Sequence, residues 1–108
     1  MDYIWVGLEL IRQAHLSVQP YNIHFWRDPN GPEVDWVINR DGVYTPIEAK
    51  WTTAPQQSDI KHLHLFKAEY ENTGNAYVVC QVQQKTKLAE GIYAIPWYEL
   101  GHVFNDHQ

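Results

Sequence analysis

Two extended segments joined by Asp41-Gly42 constrain this fold more than any other feature of the sequence. The dipeptide Asp-Gly is a strong signal for a two-residue β-hairpin turn, because both residues tolerate a positive φ. Such a turn pairs Arg40 with Val43 and thereby fixes the register of the two strands. The predicted strands are residues 33–39 and 44–51.

Counting outward from this turn sorts the side chains of the hairpin onto two faces. Asp35 falls opposite Glu48 and Glu33 falls opposite Lys50, and directly opposed residues share a face with Cβ atoms roughly 5 Å apart. The other face is apolar and belongs in the core; it carries Val34, Trp36, Ile38, Thr45, Ile47, Ala49 and Trp51. The hairpin therefore predicts four ionisable side chains converging on one side.

Helical spacing of apolar residues predicts two longer helices. The first runs from Asp2 to about Gln13, with Ile4, Leu8 and Ile11 on its inner stripe and Val6 and Leu10 widening it. The second begins at a Ser58 cap, runs to about Glu71 and ends before Gly74. Its inner face is predicted to hold Ile60, Leu63, Phe66 and Tyr70.

Three further strands and a terminal element complete the predicted order. The strands are residues 22–27, 75–82 and 91–95, and a short helix or turn starts at Pro96. Residues 28–31, Asp-Pro-Asn-Gly, form a turn between the first two strands, so the first three strands make an antiparallel meander. A right-handed crossover through the second helix brings the fourth strand in parallel. We expect a single domain over residues 1–108, of the α/β (α+β) class, with a mixed sheet flanked by helices.

The composition of the chain limits its expected binding partners and cellular location. The chain has 44% apolar residues and a formal charge of −5, from 13 acidic and 8 basic side chains. This balance disfavours tight autonomous DNA binding, which needs Lys and Arg to displace counterions. No stretch approaches the ~20 apolar residues of a membrane span, and the N-terminus does not read as a signal peptide. We expect a cytoplasmic protein without membrane partners, in which the single Cys80 is a buried thiol.

The opposed carboxylates of Asp35 and Glu48 suggest a site for a divalent cation. They repel each other unless one has a raised pKa or a cation lies between them. Hard oxygen ligands suit Mg²⁺ or Mn²⁺, and Lys50 beside them can orient a water or stabilise charge on a phosphate. The alternative interpretation is a set of ordinary surface ion pairs, each contributing under ~1 kcal/mol.

The arrangement resembles the PD-(D/E)XK nuclease signature, with Asp35, a gap of 12 residues and then Glu48-Ala49-Lys50. The element order is similar to the restriction-endonuclease-like αβββαβ core. A closer resemblance is to the nuclease-like domain of unknown function at the C-terminus of prokaryotic AAA-type ATPases. The motifs that carry it are Val6-Gly7-Leu8-Glu9-Leu10, Phe25-Trp26-Arg27-Asp28, Gly31-Pro32-Glu33-Val34-Asp35, Ile47-Glu48-Ala49-Lys50 and Ile95-Pro96-Trp97.

This resemblance implies a DNA-hydrolysing site with Asp35, Glu48 and Lys50 as catalytic residues. The metal ligands would be Glu9, Asp35, Glu48 and the Ala49 carbonyl, with Glu33 and Gln57 as possible supporting residues. Partners would be DNA, an AAA-type ATPase portion and a second copy in a homodimer. The sequence contains no Gly-x-x-x-x-Gly-Lys phosphate loop. A non-catalytic interaction module of an ATPase system is therefore the alternative function, and a plain structural domain is a third.

Overall fold

The computed structural model of the chain describes residues 3–16 and 21–105. Two α-helices and six strands occur in these ranges: α1 (Tyr3–Leu16), β1 (Asn22–Arg27), β2 (Glu33–Arg40), β3 (Val43–Ala49), α2 (Lys61–Glu69), β4 (Ala76–Cys80), β5 (Thr86–Ala89) and β6 (Ile92–Pro96). A 3₁₀ helix, Gln57–Ile60, leads into α2, and a kinked 3₁₀ segment, Trp97–Asn105, follows β6.

The strands form one mixed sheet in the order β1-β2-β3-β4-β6-β5. β1, β2 and β3 pair antiparallel, whereas β3 pairs parallel to β4 across the α2 connection. β4 in turn pairs parallel to β6, and β5 lies antiparallel to β6 at the edge. The predicted mixed sheet flanked by helices is confirmed.

The hairpin turn is the one that Asp41-Gly42 predicts. Asp41 has a φ of 52° and Gly42 a φ of 82°, so both central residues are left-handed as a type I′ turn requires. The Asn39 side chain accepts a hydrogen bond from the Gly42 N–H at 3.0 Å. Arg40 pairs with Val43, which confirms the predicted register at this end of the hairpin.

The sheet separates two apolar clusters because alternate strand residues point to opposite faces. On one face α1 packs through Val6 and Leu10 against Trp36, Ile47 and Tyr77. On the other face the residues that pack together include Ile60, Leu63, Phe66, Val34, Val37, Val78 and Ala94. β4 is buried along its whole length, as a central strand covered on both sides must be.

A β-bulge in β2 changes the face of its first residues. His24 pairs with Val37 but Trp26 pairs with Val34. The same stretch of sheet therefore advances by three residues in β2 and by two residues in β1. The extra residue shifts the alternation, and Val34 joins the α2 face while Trp36 stays on the α1 face. The prediction that Val34 shares a face with Trp36 is therefore wrong.

The first helix lies in a different rotation from the one that we predicted. Val6 and Leu10 are fully buried, whereas the relative exposures of Ile4, Leu8 and Ile11 are 69%, 62% and 47%. The two apolar stripes lie side by side on the helix, and spacing alone does not say which one meets the sheet. The helix also continues to Leu16, beyond the predicted end; the predicted first residue, Asp2, lies outside the described residues.

The second helix and the C-terminal strands differ in detail from the prediction. Ser58 lies inside the 3₁₀ helix instead of capping α2, and the Asp59 carboxylate accepts a hydrogen bond from the Gln56 N–H at 2.8 Å. The inner residues Ile60, Leu63 and Phe66 are buried as predicted. The sequence did not predict β5, because this strand of four residues at the sheet edge is only partly buried and lacks an apolar pattern.

No helix in the described ranges has the length and apolar character needed to cross a bilayer.

Candidate functional site

The candidate site lies where β2 and β3 part. The pairing of the two strands runs from the turn to Trp36 and Ile47, and Asp35 and Glu48 are the next residues outward. Because Asp35 sits in the bulge, its carboxylate occupies the space where the strands separate. There its Oδ2 accepts a hydrogen bond from the Ala49 N–H at 2.9 Å. The side chain thus replaces a missing backbone acceptor and holds the end of β3 in place.

Glu48 is the one buried acidic residue in the described ranges, with a relative exposure of 6%. It pairs with Val78 of β4 and therefore lies on the α2 face of the sheet. The backbone N–H of Asp35 donates a hydrogen bond to the carboxyl group of Glu48. A second hydrogen bond joins the side-chain carboxyl groups of Asp35 and Glu48. The two predicted ligands are therefore in direct contact.

Burial raises the pKa of Glu48 to about 8, and the negative charge of Asp35 adds to this rise. Burial also raises the pKa of Asp35, although the hydrogen bond from Ala49 opposes the shift. At neutral pH the pair therefore retains a proton on Glu48, which donates to the Asp35 carboxylate. A shared proton is the expected solution for two apposed acids without a cation.

Lys50 follows the end of β3 and is exposed. Its N–H donates to the Val79 carbonyl at 3.0 Å, so its backbone is tied to β4. Its positive charge lowers the pKa of both Asp35 and Glu48, which places the ammonium within electrostatic reach of the pair. The predicted grouping of two acids and an amine at one strand end is present.

The Ala49 backbone faces the Asp35 side of β3. In a strand the N–H and C=O of one residue point to the same side, and those of the next residue point to the other. The Lys50 N–H points to β4 and the Ala49 N–H points to Asp35, so the Ala49 carbonyl also faces the β2 side.

Glu33 does not take the predicted place opposite Lys50. The bulge and the parting of the strands end the β2–β3 register before it, and Glu33 pairs with Arg27 of β1. The Arg27 guanidinium and the Glu33 carboxylate form an ion pair at 3.0 Å. The charge of Glu33 nevertheless raises the pKa of Asp35, so it borders the site.

Two residues near the site were not predicted from the sequence. Arg27 contacts Glu33, at the border of the site, because β1 pairs with the bulged end of β2. The His62 ring lies against the backbone of Glu33, with Nδ1 at 2.9 Å from the carbonyl oxygen. No spacing pattern in the sequence links His62 to β2, so this contact could not be predicted.

Glu9 and Gln57 have other partners. The Glu9 carboxylate accepts hydrogen bonds from Arg12 and from Gln13, the latter at 3.0 Å, on α1. The Gln57 amide donates to the Leu88 carbonyl at 3.2 Å, toward the β5 side. Within residues 3–16 and 21–105, no three His, Cys, Asp or Glu side chains group closely enough to hold a metal ion. The structure thus brings Asp35 and Glu48 together without Glu9.

The fold and the site together define an α+β domain whose sheet carries a buried acidic pair beside a lysine. The chain belongs to the family described as "Domain of unknown function (DUF4143)", whose family model matches residues 4–100. This family is found in proteins associated with AAA-type ATPases. No curated protein and no solved structure shows a match to the chain.

Proposed function

We propose that the chain is a PD-(D/E)XK-type nuclease domain that hydrolyses phosphodiester bonds of DNA with Mg²⁺ or Mn²⁺. The observation that supports this most is the buried, proton-sharing pair of Asp35 and Glu48 beside the exposed Lys50. Burying two acids against each other destabilises a fold. A cation bound between the two carboxylates in place of the shared proton would relieve their repulsion.

The residues present fit a hard divalent cation. Mg²⁺ takes one or two protein carboxylates and keeps several waters, so a third protein acid is not required. Asp35, Glu48 and the Ala49 carbonyl supply oxygen donors of the preferred kind. When bound, the cation supplies a water of lowered pKa and neutralises charge on the phosphate.

The chain's own residues have distinct tasks in this proposal. Ala49 fixes the Asp35 carboxylate through its N–H, so that the acid is oriented before any ligand arrives. Glu48 would hold the cation as a carboxylate, with its proton released to solvent. The Lys50 ammonium, exposed at the strand end, holds a phosphate oxygen or orients the attacking water.

A metal titration followed by thermal denaturation tests the site. Wild-type protein should gain stability with Mg²⁺ or Mn²⁺ at pH 7, because a ligand that binds only the folded state raises Tm. Asp35→Ala should lose this gain, whereas Glu90→Ala, which removes an exposed acid near β5, should keep it. Cleavage of plasmid, linear and single-stranded DNA with either metal then tests the activity. No metal-dependent gain and no cleavage would refute the proposal.

A second function is supported by other observations. The engagement of Glu9 by Arg12 and the net charge of −5 both suit a nuclease-like module that docks an AAA-type ATPase or partner protein without cutting DNA. Under this alternative, a stable complex with the ATPase portion tolerates both Asp35→Ala and Glu48→Ala. Under the nuclease proposal, the same variants lose cleavage.

A further inference from the structure

The outer edge of β1 has no strand beside it in the described part of the chain. β1 is the first strand of the sheet and pairs on one side with β2, whereas no strand within residues 3–16 and 21–105 pairs with its other side. An open edge presents a row of N–H and C=O groups, and such a row is a template for another extended backbone. β1 has six residues and the opposite edge strand, β5, has four, so β1 is the longer template.

The register of the hairpin determines which residues of β1 turn their backbone groups outward. Arg40 and Val43 flank the two-residue turn and therefore exchange both of their backbone hydrogen bonds. This role alternates along a strand, so Val37 directs its N–H and C=O to β1, where its partner is His24. The backbone groups of His24 consequently point to β2, and those of its neighbours in β1 point away from the sheet.

Phe25 lies at the centre of the three outward residues, which are Ile23, Phe25 and Arg27. Its relative exposure of 75% is the highest among the large apolar side chains of the described ranges. Ile23 packs with the cluster on the α1 face and Trp26 with the cluster on the α2 face, so alternation places the Phe25 ring on the α1 face. An outward backbone and an exposed aromatic ring therefore coincide at one residue of the edge.

We propose that β1 pairs antiparallel with β1 of a second copy of this chain, about a two-fold axis at Phe25. In this register the two Phe25 residues exchange both backbone hydrogen bonds, and Ile23 of each copy pairs with Arg27 of the other. Every outward residue of β1 is then paired. The two Phe25 rings become a directly opposed cross-strand pair on the α1 face, and the two six-stranded sheets join into one of twelve strands. This pairing does not require the proposed nuclease activity.

The charge of β1 suits a second copy of this acidic chain. The net charge of the chain is −5, but β1 contains no acidic residue, and its Arg27 already forms an ion pair with Glu33. In the proposed register the two Arg27 residues lie at opposite ends of the contact, about 14 Å apart along the strands, where salt screens their repulsion. A contact of one strand per copy is smaller than a standard interface of roughly 1,600 Å², so the dimer should be weak and depend on concentration.

Sedimentation velocity in EDTA, without DNA, measures this assembly separately from metal binding and cleavage. Wild-type protein should change from mostly monomer to mostly dimer between about 5 and about 500 µM, as a small interface predicts. Phe25→Cys should form a disulfide-linked dimer on oxidation, because the Cα atoms of such a pair lie roughly 5.5 Å apart. Leu65→Cys, at an exposed position on α2, is the matched control and should stay monomeric, and the native Cys80 is buried.

Phe25→Pro and Phe25→Ala separate the contribution of the backbone from that of the ring. Both substitutions remove the ring, but only proline removes the outward N–H, and proline is tolerated where the N–H of an edge strand faces solvent. Phe25→Ala should weaken the dimer about fivefold, whereas Phe25→Pro should be monomeric at every concentration. Phe25→Lys places two like charges opposite each other and should also be monomeric. If Phe25→Pro loses the circular dichroism of the wild type, Phe25→Lys decides the test.

Three results would overturn the pairing at β1. They are a wild-type protein that is monomeric at every concentration, a dimer that Phe25→Lys leaves unchanged, and a dimer in which Phe25→Cys does not cross-link. Metal-dependent cleavage by a protein that stays monomeric would reject the dimer and leave the proposed function standing. Dimerisation of a protein that neither binds metal nor cleaves DNA would reject the proposed function alone.

Discussion

The Asp35 carboxylate accepts a hydrogen bond from the backbone N–H of Ala49 at 2.9 Å, at the point where β2 and β3 separate. The bulge in β2 leaves the N–H at the end of β3 without a backbone acceptor, and the Asp35 side chain takes that place. The same carboxylate contacts Glu48, so one acid serves both the sheet and the candidate site. Structural and functional roles of Asp35 can be separated by choosing the substitution.

Asp35→Asn and Asp35→Ala should differ in stability but not in metal binding. The asparagine carbonyl can still accept from Ala49, whereas alanine leaves that part-buried N–H without its partner, at a cost of about 1–3 kcal/mol. Urea denaturation in EDTA measures the difference, and both variants should lose the metal-induced rise in Tm. Equal stabilities of the two variants would show that the hydrogen bond to Ala49 contributes nothing.

The stability of the metal-free protein should fall as the pH rises from about 5 to about 8. The pKa of Glu48 is raised to about 8 in the folded protein, above an ordinary value of 4.5, so the folded state binds the proton more tightly than the unfolded state. Its stabilising effect is complete below the unfolded pKa and is lost as the pH approaches the folded one. Denaturation in EDTA across this range measures the slope.

Glu48→Gln provides the control for that pH dependence. The amide keeps the size of the side chain and cannot ionise, so the slope between pH 5 and pH 8 should become flatter. At pH 8 the metal-free variant should be more stable than wild type, because the repulsion from Asp35 is gone. A slope unchanged by Glu48→Gln would assign the titration to another group.

Lys50→Ala should reduce metal-dependent DNA cleavage by at least about a hundredfold without unfolding the protein. Lys50 is exposed, so its truncation should change the free energy of unfolding by less than about 0.5 kcal/mol. Lys61→Ala, at another exposed lysine on α2, is the matched control and should cleave at the wild-type rate. Full activity in Lys50→Ala would remove the lysine from the proposed mechanism.

Gly42→Ala should destabilise the hairpin that sets the register of the site, by about 1 kcal/mol. Gly42 has a φ of 82°, and a Cβ there would meet no other atom within 4 Å, so the cost comes from the backbone conformation alone. Gly74→Ala is the control, since its added Cβ would make an ordinary contact of 3.5 Å with Val43. Thermal denaturation of the two variants compares them directly.

The sequence by itself determined the local features of this protein. Asp41-Gly42 specifies a type I′ turn through its tolerance of positive φ, and the turn fixes the pairing of β2 with β3. Alternation along β3 then puts Glu48 and Lys50 on one face, so the candidate site follows from residues close in the chain. The crossover through α2 and the parallel entry of β4 also follow from element order, because such connections have a fixed hand.

Only the tertiary structure decided the features that depend on contacts between distant segments. The bulge at Asp35 arises from pairing with β1, and no pattern in β2 alone reveals that Val34 changes face or that Glu33 turns to Arg27. The rotation of α1 depends on how its apolar side meets the sheet, which left Ile4, Leu8 and Ile11 exposed and Glu9 bound to Arg12. Periodicity describes one element at a time, whereas burial and charge pairing depend on which surfaces meet.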